Sequence, residues 1–386
     1  MINGFRESME TPFPYDRYAS GKNFIGRKSE TVILESMLRS KQNVLLYDAP
    51  KTGKGSLIRH VLYNLKIGSY PFIACHVSLG NIRERAGFLA SYASALVKAA
   101  ASEAGGMKEI YDRFLAGTFL SLDLAEENGR GIFRPEKAPS REDEKAVFEL
   151  VEKIAGYCGT EVIIVIEEFQ NLLMFDDSDE ILDTMESVLN ERENATYIFS
   201  GSRINAMKSI FEEERRFYRF AEHVPLQTID EREITEYVIR GFSRGGKIIE
   251  HDLVLGAVRL FENNCWYINQ FASICDSLSR GYINENTLMD ALKMLIAVHS
   301  LRFRDMVDGM TGFQTDMFRA ILDGVTRFSA TETIEKYGLN SSANVRRLKD
   351  ALKKKEIITF DEKDIPHVID PLFKYWMKKY YFKQET

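Results

Sequence analysis

An α/β fold followed by two smaller, mostly helical parts is what this sequence predicts, and three observations predict it. Short runs of β-branched and apolar residues alternate with helix-length stretches over residues 21–228. A loop rich in glycine and lysine, LYDAPKTGKGSL (46–57), lies between a strand run and a helical stretch. Beyond Asp230 the alternation stops and helical spacing takes over. Strand alternating with helix implies a parallel sheet covered on both faces.

The strand runs are VLLY (44–47), FIACHV (72–77), EVIIVIE (161–167), ATYIFS (195–200) and EHVPL (222–226). Their near-continuous apolar character is that of strands buried on both faces. Residues 53–65, 82–101, 142–157 and 179–192 have the length and spacing of helices between them. Residues 104–141 break the rhythm with glycines, prolines and charges, so an irregular insertion is expected there. Residues 1–20 form an N-terminal segment ahead of the α/β domain. Residues 229–308 read as a helical lid whose first helix starts at Asp230, with Glu233 at capping-box spacing. Residues 309–386 give a helix, a short helix, a serine-rich cap at 340–342 and a basic helix to Lys354. Two strand runs around the charged turn Asp361 to Asp364 then complete a winged helix-turn-helix.

Composition narrows the function classes. With 386 residues and 45% hydrophobic content the chain can bury two or three cores. The cysteines Cys75, Cys158, Cys265 and Cys275 show no CxxC spacing, which argues against a disulfide framework or a zinc site. The N-terminal residues lack a basic stretch followed by an apolar run, and no segment reaches the roughly 18 apolar residues of a membrane span, so a cytoplasmic protein without a membrane partner is expected. Net charge is -6, but residues 313–386 hold 14 Lys and Arg against 11 Asp and Glu. The basic excess therefore sits at the C-terminus, where Arg346, Arg347 and Lys349 on the expected recognition helix are candidate contacts for duplex DNA. The alternative is a helix end whose cations complement its dipole.

The loop is compared with G-x-x-x-x-G-K-[ST], in which backbone N–H groups and a helix N-terminus cradle phosphates. Pro50, Lys51, Thr52, Gly53, Lys54, Gly55 and Ser56 are the candidate nucleotide-binding residues, with Lys54 reaching toward the β- and γ-phosphates. Asp48 stands where the first glycine belongs, and Gly55 stands where a Mg²⁺-binding hydroxyl belongs. Ser56 is one helical step away from that position. The run Ile163 to Ile166 followed by Glu167 and Glu168 suits a strand end where one carboxylate orients Mg²⁺ and the next activates water. The alternative readings are a retained turn and a solvated strand end.

The segments NFIGRKSE (23–30), LYDAPKTGKGSL (46–57), VIIVIEEFQNL (162–172), YIFSGSRINAM (197–207) and IDPLFKYWMKKYYF (369–382) together resemble the archaeal-type ATPases, a branch of the STAND and AAA+ P-loop proteins. The resemblance spans nearly the whole chain. It implies a P-loop NTPase sheet, a helical lid and a winged helix, with Phe24, Ile25 and Gly26 near an adenine. It implies a sensor role for Ser200, Gly201 and Ser202, with Ser202 near the nucleotide, and a catalytic role for Glu168, Glu167 and, from the cluster Arg215, Arg216 and Arg219, for Arg219. In the lid, Asn263 and Asn264 replace the glycine-proline turn of similar proteins. The expected function is an ATP- or ADP-binding switch coupled to the winged helix, with weak or absent ATPase activity because Asp48, Gly55 and Glu167 depart from the pattern. A protein partner and oligomerisation are compatible with it. The alternative is a nucleotide-independent DNA-binding or protein-interaction regulator on the same fold.

Overall fold

In the computed structural model, which describes residues 11–124, 132–214 and 216–384, the chain divides into two compact units. One comprises Lys28–Pro50 and Leu57–Leu226; the other comprises Met1–Arg27, Lys51–Ser56 and Gln227–Thr386.

In the sheet unit the strands are β1 (Asn43–Tyr47), β2 (Ile73–Ser78), β3 (Leu120–Leu122), β4 (Phe133–Pro135), β5 (Val162–Glu167), β6 (Ala195–Gly201) and β7 (Ala221–His223). Its helices are α1 (Lys28–Arg39), α2 (Lys54–Ile67, whose first three residues belong to the other unit), α3 (Arg85–Ala100), α4 (Ala104–Phe114), α5 (Arg141–Cys158), α6 (Ser178–Leu189) and α7 (Ile204–Lys208). Five strands form one parallel sheet in the order β2-β5-β6-β1-β7. Every residue of β1 and β6 is buried, as expected for strands covered on both faces. The register places Glu167 opposite Ser200 and Tyr47 opposite Gly201. The C-terminal ends of β1, β5 and β6 thus line up, the edge at which open α/β sheets carry their ligands.

Within its described residues, the segment 104–141 is more regular than its composition predicts. It forms α4 and an antiparallel hairpin, β3 with β4, in which Leu120 faces Pro135 and Leu122 faces Phe133. Phe119, Leu120, Ile132 and Phe133 are buried, so apolar side chains scattered among glycines and charges anchor it to the core. The Phe119 N–H donates to Asp143 Oδ1 at 3.1 Å, and the Phe133 N–H donates to Ser94 Oγ at 3.1 Å. Asp143 also closes a capping box with Ser140 at the start of α5, and Gly159 ends that helix at φ +62°.

The second unit holds α8 (Glu231–Arg244), β8 (Ile248–Ile249), α9 (His251–Leu260), α10 (Cys265–Leu278), β9 (Tyr282–Ile283) and α11 (Glu285–Asp308). There follow α12 (Gly312–Leu322), α13 (Thr331–Tyr337), α14 (Ser342–Lys354), β10 (Ile358–Phe360), β11 (Pro366–Val368) and α15 (Pro371–Trp376). Helices α12 to α14 with the antiparallel β10–β11 pair make a winged helix-turn-helix. Lid and winged helix share a core in which the Phe303 ring lies 5.6 Å from Phe373 and 5.7 Å from Trp376. Asp370 joins the same two parts through polar contacts. It caps α15 by accepting the N–H groups of Leu372 and Phe373, it accepts the Tyr267 hydroxyl, and it pairs with Arg302 at 2.8 Å.

The start of α8 differs in one detail from the capping box that the spacing suggests. Asp230 accepts the N–H groups of Arg232 and Glu233, but the Glu233 carboxylate accepts the Gly26 N–H at 3.0 Å. Glu233 therefore ties the FIGR segment to the lid. Among the described residues no helix is long and apolar enough to cross a membrane.

Candidate nucleotide-binding site

The loop leaves the end of β1 and enters α2 at Lys54. Asp48, at the motif's first glycine position, uses its carboxylate to accept the Ala49 N–H at 2.7 Å. The left-handed positions of this loop are Lys51 at φ +67° and Gly53 at φ +93°. Nothing crowds Gly53, so it is the backbone angle that calls for glycine there. Such turns aim successive N–H groups into one concavity that suits an anion. Lys54 is buried at 7% exposure and its Nζ lies 3.5 Å from Thr52 Oγ1, whereas Pro50, Lys51 and Gly53 are exposed.

Around this crest the second unit supplies several contacts. Arg27, at φ +61°, donates through Nη2 to the Thr52 carbonyl at 3.1 Å and through Nη1 to the Gln227 carbonyl. Gly26 has φ +65°, and a Cβ there would come within 2.9 Å of Ile229, so both conformation and space require glycine. Phe24 and Ile25 are half-buried, and Ile25 packs on the lid core. Asn263 adopts φ +61° and donates to the Ile229 carbonyl at 2.8 Å, doing with an asparagine what a glycine turn would do. Lys51 Nζ lies 5.4 Å from the centre of the Trp266 ring, within cation–π range.

Two N-terminal contacts were not foreseen from the sequence. The Ala19 N–H donates to Ser56 Oγ at 2.9 Å, and the Tyr18 ring lies over Gly55, where a Cβ would meet Cε1 at 2.4 Å. The segment is anchored further back by the Tyr15 carbonyl, which accepts the Trp266 indole N–H at 2.8 Å, and by Phe13, fully buried 4.7 Å from Phe242. Gly55 without a side chain was the one available signal, since something has to fill the space. The Mg²⁺ that the motif implies does not fit this side of the loop. Gly55 offers no oxygen, an aromatic ring covers its place, and Ser56 Oγ holds a backbone N–H.

In the sheet unit, burial pushes the half-buried Glu167 carboxyl above its usual range, with Arg59 opposing the shift and Glu168 adding to it. Glu168 has φ +58°, a left-handed conformation uncommon for this residue type and a cost of order 1–3 kcal/mol. One of its oxygens, Oε2, accepts both Ser202 Oγ at 2.5 Å and Gln170 Nε2 at 2.7 Å. The strand-end carboxylate and the residue predicted as sensor are therefore brought together. Gln170 is fully buried and its Oε1 has no partner among the described residues. A Cβ on Gly201 would meet Met207 at 2.5 Å and Gln170 Oε1 at 2.6 Å, so glycine is needed between them. Gln170, two residues past Glu168 in EEFQ, was not singled out from sequence.

The other predicted cations divide between paired and exposed positions. Arg216 is largely buried and bridges Asp179, Asp183 and Glu214, a structural role. Arg219 is exposed with its guanidinium over the Tyr218 ring, and Arg215 lies outside the described residues. On α14, Arg346 and Arg347 are exposed, but Lys349 is pinned to Asp364 of the wing at 2.7 Å and lies 4.7 Å from the Phe360 ring centre. The charged turn returns beside the helix, so Lys349 pairs with the wing while Arg346 and Arg347 carry no such pairing among the described residues.

With the geometry in view, the comparisons fix the fold. Over 95% of this chain and 99% of its own, the Walker-type ATPase of Pyrococcus abyssi superposes with a TM-score of 0.67 at 18% identity. The Aeropyrum pernix ORC2 protein, solved in ADPNP–ADP complexes, covers 93% of both chains with a TM-score of 0.50 at 12% identity. Residues 301–379 match the family described as a probable winged helix domain. This chain has the P-loop ATPase fold with a C-terminal winged helix. No curated protein matches it by sequence. At these identities the likeness is one of fold.

Proposed function

We propose that the protein is a nucleotide-binding switch of the P-loop type, with weak or absent hydrolysis, whose winged helix responds to nucleotide at the loop. The observation that carries this reading is a chain of contacts inside one compact unit. Lys51 on the loop crest stacks on Trp266; the next residue of α10, Tyr267, donates its hydroxyl to Asp370; and Asp370 caps α15 beside the winged helix. A phosphate that draws Lys51 away from the indole changes a contact that this chain shares. Only a ligand that distinguishes two arrangements can shift between them. Two separate observations support weak hydrolysis: on the loop, Gly55 supplies no metal ligand, and in the sheet unit Glu168, in the place of the water-activating base, is already held by Ser202 and Gln170.

Isothermal titration with ATP and ADP tests the binding step. Lys54→Ala removes a charge-assisted contact worth on the order of 1.5–3 kcal/mol, so affinity should fall about tenfold to a hundredfold. Equal titration curves for wild type and variant, or no heat from either, would remove the nucleotide reading.

A second reading, duplex DNA as the partner of the winged helix, is favoured by the exposure of Arg346 and Arg347 on α14. Fluorescence anisotropy of the full chain with a duplex should show affinity falling steeply with salt. Arg346→Ala with Arg347→Ala should flatten the logarithmic salt slope by about 2 units, since each neutralised phosphate releases counterions. Lys349→Ala should leave that slope unchanged. An unchanged slope in the double variant points instead to a protein partner for this surface.

A further inference from the structure

We propose that Tyr18 makes this loop a site for nucleoside polyphosphate taken without a divalent cation. The inference rests on the nucleotide reading above and specifies which form of the ligand the loop accepts.

A G-x-x-x-x-G-K-[ST] loop places its final hydroxyl on Mg²⁺, which in turn bridges the phosphates. Here that position is Gly55, and the space in front of it holds a phenol ring: an added Cβ would lie 2.4 Å from Tyr18 Cε1, 3.1 Å from Cδ1 and 3.4 Å from Cζ. Ring carbons have no lone pair to offer a hard cation that demands oxygen ligands in near-octahedral geometry. The backbone on either side of Tyr18 is also held. Directly after Tyr18 the Ala19 N–H donates to Ser56 Oγ, and on the other side the Tyr15 carbonyl accepts the Trp266 indole N–H. Phe13, buried against Tyr237 and Phe242, fixes the segment to the lid so closely that a Cβ on Gly241 would meet its ring at 2.3 Å. The glycine at 55 and the tyrosine at 18 are therefore complementary: one vacates the volume and the other fills it.

Charge balance supports the same assignment. Polyphosphate without a metal needs other cations, and the crest with its surroundings carries Lys51, Lys54 and Arg27 within the same unit. Arg27 is oriented by two backbone carbonyls, and Lys54 is mostly shielded from water, where a charged contact is stronger than at an exposed site.

The test is titration of adenosine 5′-(β,γ-imido)triphosphate into the full chain, once with excess Mg²⁺ and once with EDTA. Wild type should bind with affinities that agree within about twofold between the two conditions. The pair Tyr18→Ala with Gly55→Thr empties the volume and restores the hydroxyl, and it should bind about tenfold or more tightly with Mg²⁺ than with EDTA. Thermal melting of both proteins checks that they are folded, which is expected because Tyr18 is 45% exposed. A wild type that binds about tenfold more tightly with Mg²⁺, or a folded double variant indifferent to it, overturns the inference while leaving nucleotide binding intact. Wild type that binds in neither condition overturns the nucleotide reading and the inference with it.

Discussion

Phe373→Ala is expected to lower the stability of the protein by about 3–5 kcal/mol, the range for removing a large aromatic side chain from a packed core. Phe373 is fully buried, 5.6 Å from the Phe303 ring of the lid and 5.5 Å from the Phe318 ring of α12, and it stacks on Trp376. Alanine would leave a cavity at the point where α11, α12 and α15 meet, and none of the three can close it alone. Urea unfolding followed by tryptophan fluorescence reads the effect, because Trp376 lies beside the cavity. Tyr380→Ala, at a position 45% exposed, should shift stability by no more than about 0.5 kcal/mol. A Phe373→Ala protein that unfolds at the wild-type urea midpoint would show that lid and winged helix do not share this core. The functional consequence follows from chain position: Asp370 caps α15 one turn ahead of Phe373, so a loosened helix also loses its hold on Tyr267.

Much of the fold was legible because its signals are local and repeated. Strand runs such as VIIVIE read as buried on both faces, and every residue of β5 except Glu167 is fully buried. The winged helix was legible for the same reason, since a serine cap, a basic helix and two short strands follow one another without interruption; Ser341 does cap α14. The helix and hairpin in the described parts of residues 104–141 were not legible because the apolar residues that anchor them are separated by glycines and charges, and the hairpin partners Leu120 and Pro135 are too far apart in sequence for periodicity to register.

The candidate site was legible where chemistry is carried by neighbours in sequence and illegible where it depends on residues far apart. Gly53, Lys54, Glu167 and Glu168 announce themselves by type and spacing. Tyr18 does not, because its partner Gly55 is 37 residues on and nothing in either residue type names the other. The same holds for Glu233 with Gly26, separated by 207 residues, where local capping spacing pointed the carboxylate at the wrong amide. Lys349 illustrates the converse. A lysine on a basic helix looks available until the wing brings Asp364 against it. Charge read along a sequence is a supply of ions; which of them remain exposed is decided by pairing in space.

The acidic run REDEK at the start of α5 shows how large that difference can be in energy. By composition it is a solvated helix N-terminus, and Glu142 fits that description, but Glu144 is fully buried and its carboxylate accepts from Arg85 of α3, with Oε2 left without a partner among the described residues. Hydrogen bonding to Glu144 is the main cause that raises the Arg85 guanidinium above its ordinary range. Arg85 also reaches Glu180 at 3.3 Å and Asp177 at 3.5 Å, at the start of α6, so one side chain joins three helices. Arg85→Met removes the cation and leaves a buried carboxylate unpaired, a change expected to cost about 3–5 kcal/mol. Adding Glu144→Leu to it should recover most of that loss, because replacing a buried ion pair by apolar groups of similar volume is often neutral. Denaturant titrations of the two proteins measure both quantities. If the double variant is as unstable as Arg85→Met, the loss comes from the exposed partners Asp177 and Glu180 rather than from the buried charge. Because α6 follows directly on the turn that carries Glu168 and Gln170, the single variant should also weaken the contacts that hold Glu168 against Ser202, and the double variant, which still lacks the α6 tie, should restore stability without fully restoring them.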